Sequence, residues 1–149
     1  MNIPANDPVS AGIQARRLTD LTTRLTDRLE AETAAFAERR PQDVVASLPQ
    51  TQELANQYRR DSAQVKAAPG VIAAASKAEK TSLIEATRRF ETVLARHAQA
   101  VEAARIVSEG VVRAIAHEVS AGRAMGTGYG AKGHAAPGDG RAITLNRSA

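Results

Sequence analysis

One uninterrupted seam constrains this chain more than any other feature. Leu83, Thr87, Phe90, Leu94, His97, Val101, Ala104, Ser108, Val111 and Ile115 follow one another at alternating steps of four and three. That is the spacing of a helix that packs along one side on other helices. Just before it stands Ser76-Lys77-Ala78-Glu79. In this S-x-x-E arrangement the serine hydroxyl satisfies one free amide of the first turn and the carboxylate reaches back to another. Together they predict a helix over 76–121, which needs partners along its length.

The partners are legible upstream. Leu18, Leu21, Leu25, Leu29 and Phe36 form one stripe in a stretch with no Pro and no Gly after Gly12, predicting a helix over 10–40 capped by Asp7 or Ser10. Pro41 breaks it. A second helix over 43–66, with Asp43 as its N-cap, carries Val44, Leu48, Ala55, Tyr58, Ser62 and Val65 at helical intervals. Pro49 falls inside that pattern, removing one backbone hydrogen bond and predicting a kink. Ala67-Ala68-Pro69-Gly70 ends it as a turn. The expected fold is all-α: an elongated antiparallel bundle of about three long helices within 1–121, followed by a flexible, disordered Gly-rich basic tail over 122–149. At 1.5 Å per residue the helices would measure roughly 45, 36 and 69 Å. The third outruns its neighbours and leaves Ile106, Val107, Val111, Val112, Ile115 and Val119 to be covered by something else. A homodimer, or the first two helices stacked end to end along the third, would also cover them.

Composition agrees with a helical rod rather than a thick globule. Ala supplies 31 of the 149 residues, and there are four aromatic residues and no Cys. The lack of Cys excludes disulfides, thiolate metal sites and a cysteine nucleophile. The few rings disfavour nucleic-acid folds that stack bases on aromatic rows. The pI is near 10.0, yet residues 1–66 balance nine cations with nine acids, and 122–149 carry four cations against one acid. The positive charge therefore belongs to the tail, and no cationic face for nucleic acid is expected. No apolar run approaches the ~20 residues that span a bilayer, and no signal peptide precedes the first helix. A cytoplasmic protein with no stable membrane insertion is expected.

Motifs of chemistry fail on context. Gly128-Tyr129-Gly130-Ala131-Lys132-Gly133 matches G-x-G-x-x-G, but no strand precedes it and no helix follows. His117-Glu118 begins like a zincin motif, but Ala121 stands where the second His is required. His97 reads as a seam residue. No catalytic residue, metal ligand or cofactor site is expected, and the chain does not read as an enzyme.

Three features together are similar to the FlgN-type flagellar export chaperones: the Leu-spaced first helix, the kinked second followed by a long third, and the Tyr129-Gly130-Ala131-Lys132-Gly133 element, of Tyr-Gly-x-x-Gly form. The likeness covers residues 10–133, and the Ala/Arg-rich composition and the Thr144-Leu145-Asn146-Arg147-Ser148-Ala149 ending resemble the alphaproteobacterial branch. The resemblance implies a cytosolic helical chaperone that binds the amphipathic terminus of hook-filament junction proteins, prevents their premature assembly and delivers them to the type III export machinery. Val107, Val111, Ile115 and Val119 are then the expected client contacts. Tyr129 would be an anchor for client or export machinery, with Gly130 and Gly133 giving its backbone a turn. Ala-rich amphipathic chains of this size also resemble phasins, which coat hydrophobic granules, and a homodimeric coiled-coil adaptor would bury the same seam.

Overall fold

A computed structural model describes residues 7–130, with side chains as far as Gly126. Among them every element is helical: α1 (Pro8–Ala37), α2 (Pro41–Ala67), α3 (Gly70–Ala73) and α4 (Lys77–Gly130). The expected all-α class is the class found. The chain divides into two units, one ending at Ala104 and the other beginning at Arg105.

Within the first unit the cross-helix contacts fix the topology. Glu32 and Arg28 of α1 meet Ser47 and Gln50 of α2, while Arg17 pairs with Asp61 at 3.1 Å, so α1 and α2 run antiparallel and side by side rather than end to end. Arg16 pairs with Glu79, Arg89 bridges Asp27 and Glu30 at 2.8 and 2.7 Å, and Thr33 meets His97 at 3.2 Å. The start of α4 therefore runs parallel to α1, giving an up-down-up bundle.

The ends of the helices follow their sequences closely. Asp7 accepts a hydrogen bond from the Ser10 amide at 3.1 Å, and Pro8 opens α1, where its missing N–H costs nothing. The capping box of α4 forms in both directions: the Glu79 amide donates to Ser76 Oγ at 3.2 Å and the Ser76 amide donates to Glu79 Oε2 at 2.9 Å. These bonds, joined by Arg16, hold the Glu79 carboxyl below the usual carboxylate range. Gly12 makes room for that carboxylate, since a Cβ there would stand 2.7 Å from Glu79 Oε1. The expected Asp43 cap is corrected. Arg40 holds the N-cap position and Pro41 the first turn, so Pro41 opens α2, and Asp43 lies inside its acidic first turn. Pro49 sits within α2; it and Val45, whose carbonyl it cannot reach, are both exposed.

Helix α1 ends before 40 in a left-handed turn. Arg39 has φ 58°, its amide donates to the Phe36 carbonyl at 3.1 Å, and the Arg40 amide reaches Ala35 at 2.8 Å. This is the double-bonded C-terminal motif that normally places Gly at the left-handed position. Arg39→Gly should therefore raise stability by about 1 kcal/mol, read as a higher urea midpoint with an unchanged slope.

Two clusters form the core of this unit. Leu25, Leu29, Phe90 and Val93 are buried together, with Leu54, Ala55 and Tyr58 against them. The Tyr58 and Phe90 rings stand 4.8 Å apart and tilted by 47°, and burial, then Glu91, pushes the Tyr58 hydroxyl up from its ordinary pKa. At the other end Ala11, Ala15 and Ala75 pack closely under Ile72 and Ala74. The Leu stripe of α1 is buried as expected, and Thr22 and Thr26 between its leucines are fully buried. Their hydroxyls donate to the carbonyls of Leu18 and Thr22, each at 2.7 Å, so they remain satisfied.

The seam of α4 is rotated from the expected one. Phe90 is buried and His97 and Ala104 are half-buried as expected, but Leu94 and Val101 are exposed, and Val93 and Ala100 take their places. Both sets share the seven-residue line through 90, 97 and 104. The partner decides which flank of that line is covered, and α1 and α2 lie on the Val93 side. A similar shift occurs in α2, where Leu48 is exposed and Thr51 is buried, because Glu32 draws the Ser47 and Thr51 hydroxyls inward.

Helix α4 also continues past the expected end at 121, through Tyr129 to Gly130. Each interior Gly costs a helix about 1 kcal/mol relative to Ala, which weakens the last turns without stopping them. A Cβ at Gly110, Gly122 or Gly126 would meet nothing within 4 Å. Tyr129 and Gly130 therefore have helical backbone rather than the expected turn. Gly133 and the rest of the expected tail beyond 130 lie outside the described residues.

Candidate functional site

The second unit's described part is the C-terminal stretch of α4, and its side chains define the site. Val107, Val111, Ile115 and Val119 are 65%, 51%, 56% and 49% exposed. Each step of four residues advances about 40° round a helix, so this row slants across an arc of about 120°. That is the width of the face by which a helix normally enters a core. Ile106, Val112 and Met125 are exposed beside it.

The opposite side is polar and self-satisfied. Arg105 pairs with Glu109 one turn on, and Arg113 donates to the Glu109 carbonyl at 3.3 Å. Charge on one side and branched apolar side chains on the other make this stretch amphipathic. The four expected contact residues are thus brought together on one face. Tyr129 follows on the same helix, and Gly133 lies outside the described residues.

A second group escaped the sequence reading. Glu32, 4% exposed, accepts hydrogen bonds from Thr51 and Ser47 of α2 and faces His97 Nε2 of α4 at 3.7 Å. Thr33 lies 3.2 Å from His97 Nδ1, and the Phe36 ring is 6.3 Å from the imidazole. One carboxylate thus ties three helices. Its signal was present: Glu32 lies seven residues after Leu25, three after Leu29 and four before Phe36, inside the apolar stripe rather than on the polar face. His97 lies in the seam as expected.

Among the described residues no group of three or more His, Cys, Asp or Glu could hold a metal ion, and no helix is long and apolar enough to cross a membrane. An amphipathic helix face with an exposed apolar row can bury another amphipathic segment.

Comparison with known proteins places the chain. No family model matches it, and no solved structure matches it. It is 44% identical over 144 residues to the flagellar basal-body protein FlbY of Caulobacter vibrioides, an alignment covering 95% of this chain and 97% of that protein. Identity of that degree over nearly the whole of both chains means that this protein belongs to the FlbY family of flagellar basal-body proteins.

Proposed function

We propose that this protein serves flagellar biogenesis as a cytoplasmic type III secretion chaperone, and that the C-terminal stretch of α4 holds the amphipathic terminus of a hook-filament junction protein until it reaches the export gate. The observation that carries this reading is the exposed apolar row Val107, Val111, Ile115 and Val119 along one side of the C-terminal stretch of α4. A flagellar relative spanning nearly the whole chain supports the setting. The FlgN-like Tyr-Gly-x-x-Gly element at Tyr129, Gly130 and Gly133 supports a role in handover to the export machinery.

The mechanism needs no covalent step. A junction subunit carries termini that self-assemble, and covering them with a complementary face blocks that assembly. Burying the four branched side chains is worth on the order of 1 kcal/mol each. The ordering cost of the client leaves moderate affinity, which permits release. The test is capture of immobilised C-terminal segments of hook-filament junction proteins by the intact chain. Retention of at least one segment is expected. Failure to retain any, with partition onto polyester granules instead, would overturn the reading in favour of a granule coat.

A further inference from the structure

The exposed face carries one charge, and that charge says what must lie against it. Glu118 stands seven residues after Val111, three after Ile115 and four before Gly122. It therefore shares their side of the helix, within the apolar row rather than at its border. Every neighbouring acid on α4's C-terminal stretch is otherwise engaged: Glu109 pairs with Arg105, and Glu102 also has a partner. Glu118 has none among the described residues. The cations Arg105 and Arg123 lie about 140° round the helix from Glu118 at 100° per residue.

Resting on the reading above, we infer that the α4 face recognises an amphipathic helix with a Lys or Arg set inside its own apolar stripe, seated opposite Glu118. Covering a carboxylate with apolar surface and no partner is strongly unfavourable, so this position rejects any occupant that brings no counter-charge. A second copy brings none: Val107, Ser108, Val111, Ile115, Val119 and Gly122 supply the same face with no cation, and parallel alignment sets Glu118 against Glu118. A granule surface or a lipid bilayer would likewise bury the carboxylate uncompensated. A carboxylate within an apolar stripe already meets polar partners across an interface in the first unit, where Glu32 of α1 accepts hydrogen bonds from the Ser47 and Thr51 hydroxyls and faces His97. His97 and Glu118 even occupy equivalent heptad positions, three repeats apart. The polar seam residue fixes the register of the client helix as well as its chemistry.

The experiment compares capture of junction-protein C-terminal segments by wild type, Glu118→Lys, Glu118→Gln and Glu118→Leu, using full-length chain with helicity checked by circular dichroism. Glu118→Lys should weaken capture about thirtyfold or more, and Glu118→Gln by less. Changing the client's seam Lys or Arg to Glu should weaken capture by wild type and restore it to Glu118→Lys. Glu118→Leu should weaken client capture while promoting self-association. Capture that is insensitive to Glu118 but lost on Val111→Asp plus Ile115→Asp would overturn the counter-charge alone and leave the docking face standing. Stronger capture by Glu118→Leu would likewise overturn it. Absence of capture by the wild type would overturn both.

Discussion

Phe90→Ala should remove about 3–5 kcal/mol of stability, a large share of the 5–15 kcal/mol that holds a typical domain. Phe90 is 8% exposed and is the largest side chain in the cluster shared with Leu25, Leu29 and Val93. Its ring also supports Tyr58 from α2 at 4.8 Å, so its loss opens a void where all three helices meet. Urea or thermal denaturation followed by circular dichroism measures the cost. A loss below about 1 kcal/mol would contradict the assignment of Phe90 to the core.

Val111→Asp with Ile115→Asp should have the opposite signature. Both side chains are more than half exposed, so the folded state loses little, within about 1 kcal/mol for the pair. Capture of a client helix should nevertheless disappear. Two carboxylates would enter the centre of the buried face beside Glu118, and each would need desolvation without a counter-charge. Isothermal titration or pull-down, with denaturation curves in parallel, separates the two effects. Unchanged capture would remove this face from the account. The two substitutions are complementary controls, because Phe90 is buried in the first unit whereas Val111 and Ile115 of the second are exposed.

Much of this was legible from the residues. Periodicity gave the helices because the Leu stripe of α1 and the seven-residue line through Phe90 and His97 are long and unbroken. Capping chemistry gave the starts of α1 and α4, because Asp7 and the Ser76–Glu79 box act within one turn, but misplaced that of α2, where Asp43 lies inside the first turn. What periodicity could not give was the choice between flanks: Val93 or Leu94, Ala100 or Val101. Both fit the same line, and the choice depends on where α1 and α2 lie. The exchange of Leu48 for Thr51 has the same origin, since it follows from Glu32 on another helix. Glu32 was overlooked because an acid among Arg residues looks like solvated surface until its position on the stripe is counted. The end of α4 was misplaced because clustered Gly lowers helix stability by increments rather than forbidding a helix outright. Arg39 could not be read as a left-handed residue, because only the backbone bonds to Phe36 and Ala35 impose that conformation on it. The exposure of Val107, Val111, Ile115 and Val119 was legible because an apolar row that continues past its expected partners needs no tertiary information to be noticed.

The most direct test of the account is amide hydrogen exchange across residues 105–126, measured on the full chain with and without the C-terminal segment of a hook-filament junction protein. The account predicts slowed exchange of the Val107 to Val119 amides on addition of the segment, with the core amides around Phe90 unchanged. Binding that leaves exchange across 105–126 unaltered, or that protects the first unit instead, would contradict it.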